Sequence, residues 1–176
     1  MAEPHEVLAG LAEDQATAAL FRCCGAPRWV EGMRARLPFV STPALLAAAD
    51  EVWQGLGRED YLEAFSHHPR IGADLRQADT DSDSAAPFAP TAAWARDEQA
   101  GAARADHDTR EQLRLGNAAY AERFGFTFIV CATGKSAGDM LALLRTRLAN
   151  HPDAEIQVAA REQARITRLR LEKLGT

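Results

Sequence analysis

Apolar side chains recur at helical spacing through most of the chain, the pattern of helices that each bury one face. Val7, Leu8, Leu11, Gln15, Ala18 and Ala19 follow it until GAP at 25–27, so one helix is expected there. A short helix over about 29–36 should end before Pro38. Thr42 followed by Pro43 reads as an N-cap with proline at the first helical position, where a missing N–H costs nothing. Leu45, Leu46, Ala49, Val52, Trp53 and Leu56 then share one face, with Gly57 as C-cap. A further short helix carries Tyr61, Leu62 and Phe65 and runs into SHHPRIG, residues 66–72.

Residues 77–90, QADTDSDSAAPFAP, break the periodicity and read as a surface loop. Thr91 can cap a helix through Trp94, Glu98 and Gln99. Asp108 and Glu111 have the spacing of a capping box for a helix whose face is Leu113, Asn117, Tyr120 and Phe124, closed by Gly125. FTFIVCA at 126–132 is β-branched and aromatic, so its local propensity is for a strand, yet one strand makes no sheet. Met140, Leu141, Leu144 and Leu148 mark the next helix, and a last one runs from about residue 153 to 174. Stepping the last by ~100° per residue gathers Ile156, Ala159, Ala160, Gln163, Ile166, Thr167, Arg170, Leu171 and Leu174 on one side. Arg161, Arg165, Arg168, Glu172 and Lys173 fall on the other.

At 176 residues, 47% hydrophobic and 26% charged, the chain reads as one globular domain over 1–176. A net charge of -5 with no concentrated Lys/Arg surface argues against a nucleic-acid partner, so an anionic ligand needs local arginines. Three cysteines, two of them adjacent (Cys23, Cys24), make no disulfide framework and point to a reducing cytoplasm. No run approaches the ~18 apolar residues of a membrane span, and MAEPHEVLAGLAED lacks the basic and apolar regions of a signal peptide.

Two motifs mimic known sites and fail on single residues. CATGKS at 131–136 resembles a phosphate loop, but the position that must be the first glycine is Ile129, which leaves Gly134 as a turn and Lys135 in solvent. Asp79, Asp81 and Asp83 open like a calcium loop, but Ser84 and Pro90 stand where glycine and glutamate are required. No HExxH or CxxC pair occurs, so no metal site is expected, and His5, His107 and His151 read as surface residues.

Arg170 and His68 carry more. A guanidinium on an apolar face needs a carboxylate, carbonyls or an anionic ligand, and a structural ion pair satisfies it as well as a substrate does. His68 precedes Pro69, which biases it out of the helix and stiffens the backbone that aims its ring. Imidazole exchanges protons near neutrality, although a His-Pro at a helix end serves packing more often than catalysis. His67 lacks that restraint.

Together RWVEGM (28–33), HPRIG (68–72), EQAG (98–101), LGNAAYAERFGFTFIVCATGK (115–135) and EQARITRLRLEKL (162–174) resemble the ureidoimidazoline decarboxylase family of urate degradation. The resemblance implies a single all-α domain, a helical bundle of about seven to ten helices, and so overrides the strand at FTFIVCA. That segment is then a buried piece lining the ligand cavity. It also implies a homodimer with no cofactor, decarboxylating 2-oxo-4-hydroxy-4-carboxy-5-ureidoimidazoline (OHCU) to (S)-allantoin. His68 matches the family's catalytic histidine, with Pro69 bordering the ligand, and Glu98 and Gln99 match the pair that binds ring and ureido groups. Arg170 matches the arginine of the final helix, and Phe128, Ile129, Val130, Cys131 and Ala132 match the segment whose backbone meets the substrate. Asn117 reads as structural. Ala95 stands where the family often has serine, which leaves only a backbone contact there. HPRIG departs from the HPDLAG of other members but keeps His68, Pro69 and Gly72. The competing reading is a non-catalytic helical module that binds allantoin-like ligands or a protein partner.

Overall fold

The computed structural model describes residues 2–71 and 106–175. Among the described residues the chain is all-α: eight α-helices, one closing 3-10 turn and no strand. In chain order they are α1 Pro4–Gly10, α2 Glu13–Cys23, α3 Pro27–Arg34, α4 Thr42–Gln54, α5 Arg58–Ser66, α6 His107–Phe124, α7 Ala137–Arg147 and α8 Pro152–Glu172, with the 3-10 turn Lys173–Gly175. The acidic loop, the helix expected after Thr91, and Gly72 lie outside the described residues. No described helix is long and apolar enough to cross a membrane.

The chain divides into two compact units, Met1–Ala64 with Gln163–Thr176, and Phe65–Glu162. In the first, the helix expected from residue 7 onward is two helices. Leu11 and Ala12 are extended, and the Gln15 side chain accepts the Ala12 N–H to start α2 afresh. The cap of α4 also moves back one residue: Ser41 Oγ accepts the Ala44 N–H at 3.2 Å, while the Thr42 hydroxyl donates to Glu3 at 2.9 Å. The helix then stops at Gln54, before the expected Gly57, with Gly55 as C-cap. Leu45, Leu46, Ala49 and Trp53 are buried as their spacing requires. The Trp29 indole donates to the Ala49 carbonyl, so its one polar atom is satisfied inside the core.

In the second unit α6 begins after Asp106, whose carboxylate accepts the Thr109 N–H at 2.8 Å and displaces Asp108 from the capping role. Leu113, Asn117, Tyr120 and Phe124 are all buried, as expected. Gly125 ends the helix at φ 78°, a left-handed conformation that suits glycine. Gly116 lets α7 approach, since a Cβ there would lie 2.6 Å from Leu144 Cδ2. Ser136 and Asp139 cap α7 reciprocally.

Candidate active site

FTFIVCA has the side-chain pattern of a strand and none of its pairing. Phe126 and Phe128 both meet the Tyr120 ring edge-on, at 5.7 and 5.2 Å, and Phe126 also packs on Phe65 at 5.2 Å. Residues 128–132 are buried in no regular secondary structure, where unpaired peptide groups are costly. Side chains supply the missing partners. Arg147 Nη1 donates to the Ile129 carbonyl at 2.6 Å, the Glu162 carboxylate accepts the Cys131 N–H at 2.7 Å, and Lys135 Nζ donates to the Cys131 carbonyl at 2.7 Å. Lys135 is therefore half-buried and engaged rather than solvated, while Gly134 forms the expected turn at φ 78°. The Val130 N–H and C=O and the Ala132 N–H make no hydrogen bond to any described residue.

Arg147 and Glu155, both buried, are the residues that sequence reasoning missed. Arg147 Nε and Nη2 both reach Glu155 Oε1, at 2.7 and 2.6 Å, and Nη2 reaches the Tyr120 hydroxyl at 3.3 Å. Tyr120 Oη donates to the same carboxylate, whose other oxygen accepts from Asn150 Nδ2 at 2.7 Å. The guanidinium also lies over the Phe128 ring, 4.6 Å from its centroid. Burial, followed by the carboxylate at its hydroxyl, pushes the Tyr120 phenol well above the ordinary tyrosine range, so it remains a donor. The signal was present in the sequence: Met140, Leu144 and Arg147 stand at i, i+4 and i+7, which puts Arg147 on the apolar face of α7.

His68 sits where the chain leaves α5, which ends at Ser66, and its N–H returns to the Phe65 carbonyl at 3.1 Å. His68 and Pro69 are half-buried. Three residues on, Asn117 Nδ2 donates to the Ile71 carbonyl at 3.1 Å and to the Leu113 carbonyl at 2.8 Å, which pins the exit of this turn to α6. The structural reading of Asn117 thus holds for its amide nitrogen.

In the first unit the apolar face of α8 carries the two polar residues its periodicity placed there, Gln163 (0% exposed) and Arg170 (2%). Arg170 Nη1 donates to the Arg22 carbonyl at 3.3 Å, and Gln163 Nε2 donates to Thr167 Oγ1 at 3.1 Å. Cys24 lies beside them. Burial pushes its thiol up to about 12, against the weaker opposing pull of its hydrogen bonds to Ala26 and Thr167 and of the Arg170 charge. A thiol so held is neutral at physiological pH and no nucleophile. A hollow of about 590 Å³ in this unit, bordered by Leu8, Leu11, Arg34 and Pro38 among others, contains none of the expected site residues.

Ala95, Glu98 and Gln99 lie outside the described residues. Of the expected catalytic residues the structure describes His68 in the second unit and Arg170 in the first.

Known proteins resemble this chain along nearly its whole length. It is 35% identical over 160 residues to a uric acid degradation bifunctional protein of Arabidopsis thaliana, a match covering 86% of this chain and 45% of that one. It is 30% identical over 141 residues to the 2-oxo-4-hydroxy-4-carboxy-5-ureidoimidazoline decarboxylase of Amia calva, covering 78% and 74%. The chain thus spans less than half of the Arabidopsis relative and most of the Amia one. Its fold matches a crystal structure of OHCU decarboxylase in the presence of (S)-allantoin with TM-score 0.71 and 29% identity, over 89% of this chain and 96% of the other. The model of the OHCU decarboxylase family matches residues 9–172, and this chain belongs to that family.

Proposed function

We propose that this chain is a carboxy-lyase that converts OHCU to (S)-allantoin in urate catabolism, without metal or organic cofactor, as a cytoplasmic homodimer. The observation that carries the reading is the match, over 89% of the chain, to an OHCU decarboxylase crystallised with (S)-allantoin. The chain's own geometry supports it through Val130, whose N–H and C=O offer one donor and one acceptor, unspent among the described residues, to a ligand built of amide and ureido groups.

The reaction asks little of a protein in electron storage. As the bond to the carboxylate carbon breaks and CO2 leaves, its electron pair passes into the adjacent ring C=N bond of the substrate itself. One proton then returns to one face, and without that control the product is racemic. In this reading His68 relays the proton, held by the turn before Pro69, and Arg170 places positive charge on the substrate's polar edge. Glu98 and Gln99 bind ring and ureido groups, Ala95 contributes a backbone contact, and the peptide groups of Phe128, Ile129, Val130, Cys131 and Ala132 line the site.

The test is to mix freshly made urate-oxidation product with the purified chain and follow circular dichroism. Optically active (S)-allantoin should appear much faster than in buffer alone. Ligand binding with no gain in rate would instead establish the non-catalytic module.

A further inference from the structure

We propose that Arg147, oriented by Glu155 and Tyr120, is a positioning residue that aims the Val130 peptide groups at the ligand. The ligand part of this inference rests on the decarboxylase reading; the clamp itself does not.

A trans peptide is planar, with its C=O and N–H pointing in opposite directions. The plane whose carbonyl Arg147 grips therefore carries the Val130 N–H on its far edge. The next plane, gripped by Glu162 through the Cys131 N–H, carries the Val130 C=O. The third, gripped by Lys135 through the Cys131 C=O, carries the Ala132 N–H. Three side chains thus hold three successive planes, and each opposite edge is one of the groups that make no hydrogen bond to a described residue. No helix or sheet fixes these planes, so their directions depend on the grips.

Arg147 is the strongest of the three. Its planar fork binds Glu155 through Nε and Nη2 while Nη1 holds the Ile129 carbonyl, and its face is packed on Phe128. Glu155, Tyr120 and Asn150 fix the guanidinium in turn. A lysine ammonium keeps the charge but cannot span Glu155 and the carbonyl in that geometry. The decarboxylation chemistry assigns no proton or charge to this group.

The test uses the full chain with Arg147→Lys and Tyr120→Phe. Arg147→Lys should weaken (S)-allantoin binding and raise KM about tenfold, and Tyr120→Phe about threefold, with kcat within about twofold in both. Amide exchange over 127–132 should quicken in both variants, while exchange in α2 and α4 stays unchanged. A folded Arg147→Lys with unaltered binding and exchange overturns the proposal, as does a loss of binding with no change in exchange over 127–132. If Arg147→Lys does not fold, Tyr120→Phe decides by the same readouts. A native chain that neither binds (S)-allantoin nor turns over OHCU refutes the decarboxylase reading instead, and the exchange measurement still judges the clamp.

Discussion

Among the described residues Arg147 and Arg170 are both buried arginines, set in different surroundings. Arg147 meets a carboxylate with two of its nitrogens, a backbone carbonyl with the third and an aromatic ring with its face. Its charge is cancelled within the second unit, and what it exports is geometry. Arg170 donates to the neutral Arg22 carbonyl and stands beside a thiol that burial keeps protonated. Burial of an arginine does not by itself mark a catalytic group.

The sharpest way to break this contrast is to truncate each arginine. Arg147→Met leaves Glu155 buried without its countercharge and should cost about 3–5 kcal/mol in chemical denaturation. Arg170→Met should lower kcat/KM about a hundredfold or more, with a large part of the loss in kcat. A folded Arg170→Met with kcat within about twofold of the native chain would erase the distinction.

The thiol beside Arg170 gives a pH test. An unfolded Cys24 loses its proton near 9.0 while the folded one keeps it to about 12, so the folded state binds more protons across that window. Stability from this group is constant below about pH 9 and should fall by about 1.4 kcal/mol per unit as pH rises above it. Urea midpoints from pH 8 to 10 should show the decline, and Cys24→Ala should flatten it. The smallest effect is expected from Lys135→Met, which removes a half-exposed grip on the Cys131 carbonyl and should lower stability by about 0.5–1 kcal/mol in thermal denaturation.

What was legible in the sequence follows physical lines. The faces of α6 and α8, the Gly125 stop and the burial of Gln163 and Arg170 all came from helical periodicity, because each helix packs along one continuous stripe. Helix starts were less legible. Ser41, Asp106 and the break at Leu11 were fixed by which side chain reached which N–H, and several nearby residues had the right chemistry. Local propensity alone makes FTFIVCA a strand, and it took the family resemblance to set the strand aside. Propensity reports side-chain fit to a pleated surface and says nothing of who pairs with the backbone. Here Arg147, Glu162 and Lys135 do so, from positions distant in sequence or beyond the next turn. Of the proposed site, local rules singled out His68 and Arg170 as candidates, whereas the family resemblance was needed to suggest an activity for them.

The most direct test of the account is the enantiomeric composition of the allantoin formed from OHCU by the native chain and by His68→Asn. The account predicts nearly pure (S)-allantoin from the native chain and a slow, racemic product from the variant. A variant that still yields (S)-allantoin at the native rate would remove His68 from the proton's path and contradict the account.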